Sequence, residues 1–409
     1  MTGRARLWIV ARHPTSRTHT AMDLSFTPEQ EAIRAQVERI CARFGLDYWR
    51  ARDEDGRFPD AFVAAIAEGG WLGIAMPPDY GGAGLGITEA ALMLQTIAES
   101  GAAMAGVSAV HMNIFGPNPI AVFGTPEQKA RFLPPLIAGR ERACFGVTEP
   151  DAGLDTSRLG TRAVLDGDRY IVNGRKIWTS TAQTAHKILL LARTTPIDRS
   201  ARPMDGLSLF YTDLDRRRVE VREIAKMGRH AVDSNALFID GLEIPVADRI
   251  GEEGQGFRYL LHGLNPERIM VGAEAIGIGR AALARAVQYA KDRVVFGRPI
   301  GQNQAIQHPL AENWMELEAA NLMIFKAAGL YDRGLPCGAE ANAGKYLGAE
   351  AAFRACTQAV MTHGGYGYAA EFHVERFLRE VMICRIAPVS PELIKCYVAE
   401  RVLGLPKSY

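Results

Sequence analysis

The chain has 409 residues, 48% of them hydrophobic and 23% charged, which is an ordinary composition for a globular protein. Its 47 Lys and Arg nearly balance its 46 Asp and Glu, giving a formal net charge of +1, so no long-range field attracts nucleic acid or an anionic membrane. No apolar run approaches the roughly 20 residues that span a bilayer, and we expect no membrane-spanning helix.

Residues 1–22 differ in composition from the rest of the chain. Four arginines occur there with Ser and Thr, and no acidic residue precedes Asp23. Two interpretations stay open: an organelle transit segment, which would place the protein in the mitochondrial matrix, or a translation start assigned upstream of a true start at Met22, which would leave it cytoplasmic. Met22 leads directly into a helix signal, which favours the second. In both cases we expect these residues to lie outside the fold.

Residues 23–141 are predicted to form an N-terminal α-helical domain. Thr27 is the expected N-cap of its first helix, with Pro28 at the first helical position. Apolar side chains recur on one face of this helix: Ile33, Val37, Ile40 and Phe44. Pro and Gly in residues 77–82 interrupt the helical pattern, which predicts a loop there.

Residues 142–253 change to short β-type runs, such as residues 188–191 and 207–211. We expect a middle domain built as a β-barrel or β-sandwich. The dipeptide Asn173-Gly174 lies between two such runs, and both residue types tolerate the positive φ of a type I′ turn. The sequence therefore predicts a hairpin at this dipeptide.

Residues 254–409 are predicted to form a C-terminal four-helix bundle. A long helix is expected to begin with Asn265 as N-cap and Pro266 in the first turn, and to end near Asp292. Further helices are predicted at about residues 305–333 and 339–363. The order of helices, strands and helices indicates an α+β protein with segregated domains rather than an alternating α/β sheet.

Several common site motifs are missing from the sequence or occur in the wrong context. The six cysteines form no CxxC pair and no metal-type spacing with His, which fits a reducing compartment, and we expect no metal site. Residues 277–282 match the GxGxxA pattern, but they lie inside a predicted helix and follow no strand. Close helix packing therefore explains them better than a dinucleotide site.

Four segments together resemble motifs of the acyl-CoA dehydrogenase family, and the resemblance covers nearly everything after Met22. The segment FGVTEPDAG at residues 145–153 is similar to the family's TEPxAGS stretch, and NGRKIWTS at residues 173–180 is similar to its NGxKxW segment. Residues 293–304 resemble its RxxFG...Q segment, and residues 363–376 resemble its GGxGY...VER segment. Each segment alone is compatible with a turn or a packing motif, but the combination is specific.

The resemblance implies a flavoprotein that holds FAD. A flavin ring needs an aromatic or apolar wall and polar groups at its heteroatoms, and a pyrophosphate needs close backbone approach and a cation. The residues assigned to the flavin surroundings are Phe145, Val147, Thr148, Gly153, Trp178, Thr179 and Ser180. Those assigned to the remainder of the cofactor, partly that of a neighbouring subunit, are Arg293, Phe296, Gln304, Gly364 and Gly365. The resemblance therefore implies a homo-oligomer, typically a tetramer.

The resemblance also implies desaturation of an acyl-CoA thioester, in which a carboxylate removes the α-proton while hydride passes to the flavin. Many family members carry that Glu in a C-terminal YEGT motif, but Pro388 occupies the matching position here. A minority, including isovaleryl- and long-chain-type enzymes, carry it at the start of a helix in the third domain, immediately before an Arg. Glu267 and Arg268 match that pattern. Glu267 is therefore the predicted base; alternatively, it only complements the helix dipole.

Further expectations follow from these positions. The helix N-terminus should lower the pKa of Glu267, whereas an effective base needs it raised, a conflict that desolvation by substrate would resolve. Pro388 lacks the N–H that in the family binds the thioester carbonyl, so Val389 is a candidate substitute. Asn265 and Arg268 either line the pantetheine and acyl region or serve as N-cap and surface charge. The implied electron acceptor is an electron-transfer flavoprotein; a flavin oxidase and a catalytically weak FAD-binding partner subunit are the alternatives.

Overall fold

The computed structural model describes residues 25–408. Its N-terminal part contains the helices α1 (Pro28–Cys41), α2 (Leu46–Asp55), α3 (Asp60–Glu68), α4 (Ile87–Ile97), α5 (Ala103–Phe115), α6 (Asn118–Phe123) and α7 (Pro126–Ile137). The predicted start of α1 is confirmed: Thr27 Oγ1 accepts a hydrogen bond from the Gln30 amide at 3.3 Å, and Gln30 Oε1 accepts one from the Thr27 amide at 3.0 Å. This reciprocal cap satisfies amide donors that the first turn leaves open. The interpretations of residues 1–22 lie outside the described residues.

The helices α4 and α5 lie at the centre of the N-terminal part. The segment Ile87–Phe123, which includes both helices, is by length and composition apolar enough to cross a membrane, but 89% of its most apolar stretch is buried inside the protein. Burial to this extent is what a core helix shows. The segment is therefore weak support for a membrane span.

The middle part contains the strands β1 (Ala143–Gly146), β2 (Arg162–Asp166), β3 (Arg169–Ser180), β4 (Lys187–Arg193), β5 (Leu207–Asp213), β6 (Val219–Glu223), β7 (Ser234–Pro245) and β8 (Arg249–Ile250). They pair in the order β6-β7-β3-β2-β4-β5-β8, and β1 pairs in parallel with β4. A single residue pair, Arg162 with Arg193, joins β2 to β4, so the sheet has two halves with a narrow connection. The prediction of a middle β domain is confirmed.

The predicted hairpin at Asn173-Gly174 is wrong. These residues lie inside β3, and the register of β3 against β7 shifts at this point. The turn that joins β2 to β3 lies instead at Gly167, where φ is +61°. A Cβ at Gly174 would lie 2.4 Å from Thr161 Oγ1. Glycine is therefore needed at position 174 for close approach of the neighbouring chain, and not for a turn.

The C-terminal part contains α8 (Gly256–His262), α9 (Leu264–Asp292), α10 (Gln304–Asp332), α11 (Gly338–His363), α12 (Val374–Ile386) and α13 (Pro391–Tyr397), with the short strands β9 (Val294–Val295) and β10 (Arg298–Pro299). The four helices α9 to α12 pack together, and α9 also packs against α4 and α5. The predicted C-terminal helical domain is confirmed. The predicted N-cap of α9 is wrong, because α8 continues through Gly263 directly into α9 and Asn265 lies within the first turn.

Two glycines allow α9 to approach its neighbours closely. A Cβ at Gly277 would lie 2.4 Å from the Gln95 carbonyl oxygen in α4, and a Cβ at Gly279 would lie 2.6 Å from the Leu317 side chain in α10. Both glycines are buried in the middle of α9. The expectation that residues 277–282 serve helix packing rather than dinucleotide binding is confirmed.

Candidate active site

A buried ion pair fixes the segment after β1 to β3. Lys176 Nζ lies 2.8 Å from Glu149 Oε1 and donates to the Val147 carbonyl at 3.0 Å. Glu149 also accepts hydrogen bonds from the amides of Gly160 and Thr161. Burial lowers the pKa of Lys176 to about 8, although Glu149 beside it favours the charged form. The Glu of one predicted flavin motif and the Lys of the other are thus partners, and they hold the two motifs side by side.

The flavin residues predicted in these two motifs lie along adjacent backbone segments. The Ile177 amide donates to the Thr148 carbonyl at 2.9 Å. Trp178 has a φ of +60° and is 58% exposed, so the indole lies open at the end of β3, while Phe145 is half-buried. Thr179 Oγ1 is buried and has no hydrogen-bond partner among the described residues. An open aromatic surface beside an unpaired hydroxyl suits a planar polar ligand.

The other two residues predicted from the first motif differ in exposure. Val147 is buried, because the segment passes beneath β3 at the Lys176 contact, and Gly153 is exposed in the loop that follows. Nothing lies within 4 Å of a Cβ built at Gly153. The protein itself therefore does not require glycine at position 153.

A half-buried arginine links β3 to the N-terminal helices. Arg229, between β6 and β7, donates from Nη2 to Ser180 Oγ at 3.1 Å and to Ser234 Oγ at 2.8 Å. From Nη1 it donates to Ser108 Oγ on α5 at 3.2 Å. Ser180, the last predicted residue of the flavin motif, is therefore tied to α5 through one side chain. The sequence analysis missed Arg229 and Ser108, which lie 121 residues apart and belong to none of the recognised motifs.

One helical turn after Ser108, α5 presents His111 to α9. His111 Nδ1 lies 2.6 Å from Glu274 Oε1, and both side chains are buried. Burial disfavours the charged imidazole, but the Glu274 carboxylate and its hydrogen bond outweigh this effect and raise the pKa of His111. The sequence analysis missed this pair as well. Its members are 163 residues apart, and no local pattern connects them.

Glu267 lies in the first turn of α9, as predicted, on the same face as Glu274. Its side chain is half-buried. Burial raises the pKa of Glu267 to about 7, against the opposing influence of His111 and Arg268. The expectation that the helix N-terminus lowers this pKa is therefore wrong, because desolvation is the larger effect. A carboxyl that titrates near neutrality is suited to general base catalysis.

The residues predicted to bind substrate contact each other. Arg268 Nη1 donates to Asn265 Oδ1 at 3.1 Å, and Arg268 Nε is buried with no hydrogen-bond partner among the described residues. The alternatives of an N-cap and a surface charge are therefore wrong for these two residues. On α11, the buried Lys345 donates to the Val389 carbonyl at 2.8 Å, which fixes the segment that contains Pro388.

An apolar cavity lies beside the first two turns of α9. It encloses about 490 Å³, including the solvent at its mouth, and its lining includes Pro266 and Met270 of α9 and Ile114 and Phe115 of α5. The residues from α9 flank Glu267 in sequence, but Glu267 itself does not line the cavity. Among residues 25–408, no three His, Cys, Asp or Glu side chains form a group that could hold a metal ion.

The remaining predicted cofactor residues are all exposed: Arg293, Phe296, Gln304, Gly364 and Gly365. Arg293 follows the last residue of α9, and its guanidinium lies over the Tyr366 ring at 5.8 Å. Tyr366 directly follows Gly364 and Gly365 in the sequence. Phe296 is completely exposed, with a φ of +53°. At 1.5 Å per helical residue, α9 separates Arg293 from Glu267 by about 39 Å. The structure therefore does not bring this second group to the predicted base.

Comparison with known proteins identifies the family. Family models match all three parts of the chain: the acyl-CoA dehydrogenase N-terminal domain over residues 27–140, the middle domain over 144–242 and the C-terminal domain over 254–403. Acyl-CoA dehydrogenase FadE12 of Mycobacterium tuberculosis is 36% identical over 398 residues, covering 95% of this chain and 100% of the relative.

Two solved structures share the whole fold. Butyryl-CoA dehydrogenase from Megasphaera elsdenii is 30% identical with a TM-score of 0.88, covering 93% of this chain and 100% of its own. The FAD complex of PigA is 25% identical with a TM-score of 0.88, covering 94% and 100%. The chain therefore belongs to the acyl-CoA dehydrogenase family of flavin-dependent oxidoreductases.

Proposed function

We propose that the chain oxidises an acyl-CoA thioester to the trans-2-enoyl-CoA, with Glu267 as the base. The observation that carries the proposal is the environment of Glu267, a half-buried carboxyl in the first turn of α9 whose pKa burial raises to about 7. Arg229 joins Ser108 on α5 to Ser180 of the flavin motif, and α5 packs against α9, which carries Glu267. Because proline cannot act as a base, position 388 offers no competing carboxylate.

In this proposal the base and the acyl group have separate roles. Glu267 takes the α-proton, the electron pair of that C–H bond forms the new double bond, and the β-hydrogen leaves as hydride. The apolar cavity beside α9 holds the acyl chain so that its α-carbon faces Glu267. Asn265 and Arg268, which contact each other in the first turn of α9, border the thioester side of the site.

The residues of the first two motifs fit a flavin. Bound FAD supplies the acceptor for the hydride. Trp178 and Phe145 provide the aromatic wall, and Ser180 Oγ provides a hydroxyl group for the polar edge of the ring. The half-buried Arg229 donates a hydrogen bond to Ser180 Oγ and fixes this hydroxyl.

The thioester carbonyl needs a hydrogen-bond donor that Pro388 does not provide. We propose the Val389 amide, which donates to no acceptor among residues 25–408, while the Val389 carbonyl is held by Lys345. Removal of one such donor typically costs about 2.7–4 kcal/mol of transition-state stabilisation. A substitute donor is therefore necessary for an effective enzyme.

The exposed second group supports an oligomer. We propose that Arg293, Phe296 and Gln304 contact the FAD of a neighbouring subunit in a homotetramer, because Arg293 lies about 39 Å from Glu267 along α9 and the other two follow the end of that helix. Phe296 is fully exposed and therefore accessible to a neighbouring subunit. Electrons would then pass from the reduced cofactor to an electron-transfer flavoprotein.

Anaerobic titration of the FAD-loaded protein with short, long, branched and aromatic acyl-CoAs tests the proposal. Flavin absorbance should bleach with the correct class of substrate, and Glu267→Gln should retain FAD but lose this bleaching. Glu29→Gln is the matched control, since Glu29 also lies in the first turn of a helix but is exposed. Unaltered single-turnover reduction in the Glu267 variant would remove this residue from the role.

The same preparation separates the alternatives. Peroxide formed in proportion to substrate under air would identify a flavin oxidase. A protein that binds FAD firmly but is reduced by no acyl-CoA would support a catalytically weak partner subunit. Rapid reduction with slow reoxidation by oxygen and fast reoxidation by an electron-transfer flavoprotein would support the dehydrogenase.

A further inference from the structure

The proposed chemistry uses Glu267 but gives no role to the buried pair of His111 and Glu274. Their side chains are only 11% and 1% exposed. Replacing a buried ion pair with well-packed apolar residues is often neutral or stabilising. Fold stability therefore gives a weak explanation for the pair, and its position suggests another one.

Both acids of α9 face the same region. Glu267 and Glu274 are seven residues apart, which is about two helical turns and about 10.5 Å along the axis. His111 approaches this face from α5, with Nδ1 occupied by Glu274. After desolvation, His111 is the strongest influence on the ionisation of Glu267.

We propose that His111 is a positioning residue for the base: Glu274 holds it in its charged form, and its imidazolium keeps the Glu267 carboxylate ionised and oriented before the acyl group binds. This inference rests on the proposed function of Glu267. Both carboxylates of α9 act on His111 and favour its charged form, so one cation interacts favourably with two acids.

Other charges also face this cluster. Those that act on Glu267 are His111 from α5, Arg268 and Glu274 from α9, and Lys345 from α11. Those that act on His111 are Glu274 and Glu267 from α9, and Arg229 from the segment between β6 and β7. Substitutions at positions 111 and 274 leave the three basic side chains in place, so differences between variants report on the pair itself.

Glu274→Gln has two effects of opposite sign on Glu267. It removes a negative charge, which lowers the pKa of Glu267, and it removes the partner that keeps His111 charged, which raises it. The influence of His111 on Glu267 is larger than that of Glu274, so the pKa of Glu267 should rise in the wild-type background. In a His111→Gln background, Glu274→Gln only removes a negative charge, and it should therefore lower the pKa of Glu267.

Infrared difference titration of the FAD-loaded, substrate-free protein measures this directly. The carboxyl band of Glu267 is assigned by its loss in Glu267→Gln. His111→Gln should raise the titration midpoint by at least about one pH unit, as expected for loss of a nearby opposite charge. His230→Gln is the matched control, because His230 pairs with Asp53 at 3.0 Å and is not among the groups that act on Glu267; it should leave the midpoint unchanged.

An unchanged midpoint in His111→Gln, or a Glu274→Gln shift of the same sign in both backgrounds, would overturn the inference. A structural role alone does not produce the reversal of sign. If His111→Gln does not fold, Glu274→Gln alone decides: a raised midpoint supports the inference and a lowered one contradicts it. Because the titration needs no substrate, its outcome is separate from that of acyl-CoA bleaching, which tests the proposed function.

Discussion

Glu267→Gln should make the protein more stable at neutral pH while it abolishes reduction of the flavin. Burial raises the pKa of Glu267 from 4.5 to about 7, so the folded protein retains a proton that the unfolded chain releases. This difference corresponds to about 3 kcal/mol, an upper value because the side chain is only half-buried. Glutamine has nearly the same shape and is neutral at every pH, so the substitution removes this destabilisation.

The pH dependence of the effect follows from the two pKa values. Below pH 4.5 the carboxyl is protonated in both states, and the variant and the wild type should be equally stable. As pH rises from 4.5 to about 7, the unfolded chain loses its proton and the folded protein does not, so the wild type loses stability relative to the variant. Above pH 7 the difference should be constant. For 409 residues it corresponds to a Tm difference of roughly 3–4 °C.

Thermal unfolding of the two FAD-loaded proteins between pH 4.5 and 8 checks this prediction. The Tm difference between Glu267→Gln and the wild type should increase from pH 4.5 to about 7 and stay constant above that pH. Glu29→Gln should show no such increase relative to the wild type. A Tm difference independent of pH, or a wild type that is the more stable protein at pH 8, would show that folding does not raise the pKa of Glu267. That result would refute the desolvation argument on which the choice of base depends.

Two further predictions concern the cofactor site. Lys176→Met leaves Glu149 as a buried unpaired charge. This variant should lower the unfolding free energy by about 3–5 kcal/mol and lose FAD on gel filtration. The control Lys187→Met, whose partner Asp213 is exposed, should lower it by no more than about 1 kcal/mol, and equal losses in the two variants would contradict the prediction. Mixed oligomers of Arg293→Ala and Glu267→Gln subunits should regain activity that neither variant has alone, because one chain then supplies the base and the other the arginine; an inactive mixture would contradict the shared site.

The fold could be predicted where its signals are local. The start of α1 depends on Thr27 and Gln30, which contact each other across one turn, so the sequence contains the complete cap. The hairpin at Asn173-Gly174 failed for the opposite reason. The dipeptide is a strong turn signal, but pairing with β7, more than 60 residues later, continues β3 through it. Long-range pairing overrides a local preference when the strand gains partners along its whole length.

The site could be predicted only as far as motifs extend. Glu267 was found by its place before Arg268, but its ionisation depends on burial and on side chains from other helices. His111 and Glu274 form the closest polar contact in this region, yet they come from α5 and α9 and match no spacing rule. The partnership of Glu149 with Lys176 was in principle visible, because each of the two recognised motifs contains charged residues of only one sign, acidic in the first and basic in the second.

The position of the base and the His111–Glu274 pair are physically connected. A carboxylate at a helix N-terminus is normally stabilised in its charged form, which makes it a weak base. Here α8 continues into α9 through Gly263, and burial raises the pKa of Glu267 to about 7. Burial alone would protonate the carboxyl completely in a drier, substrate-filled site. A cation that is itself held by a second buried acid counteracts this, so the base can be shielded from water and still be ionised when the thioester arrives.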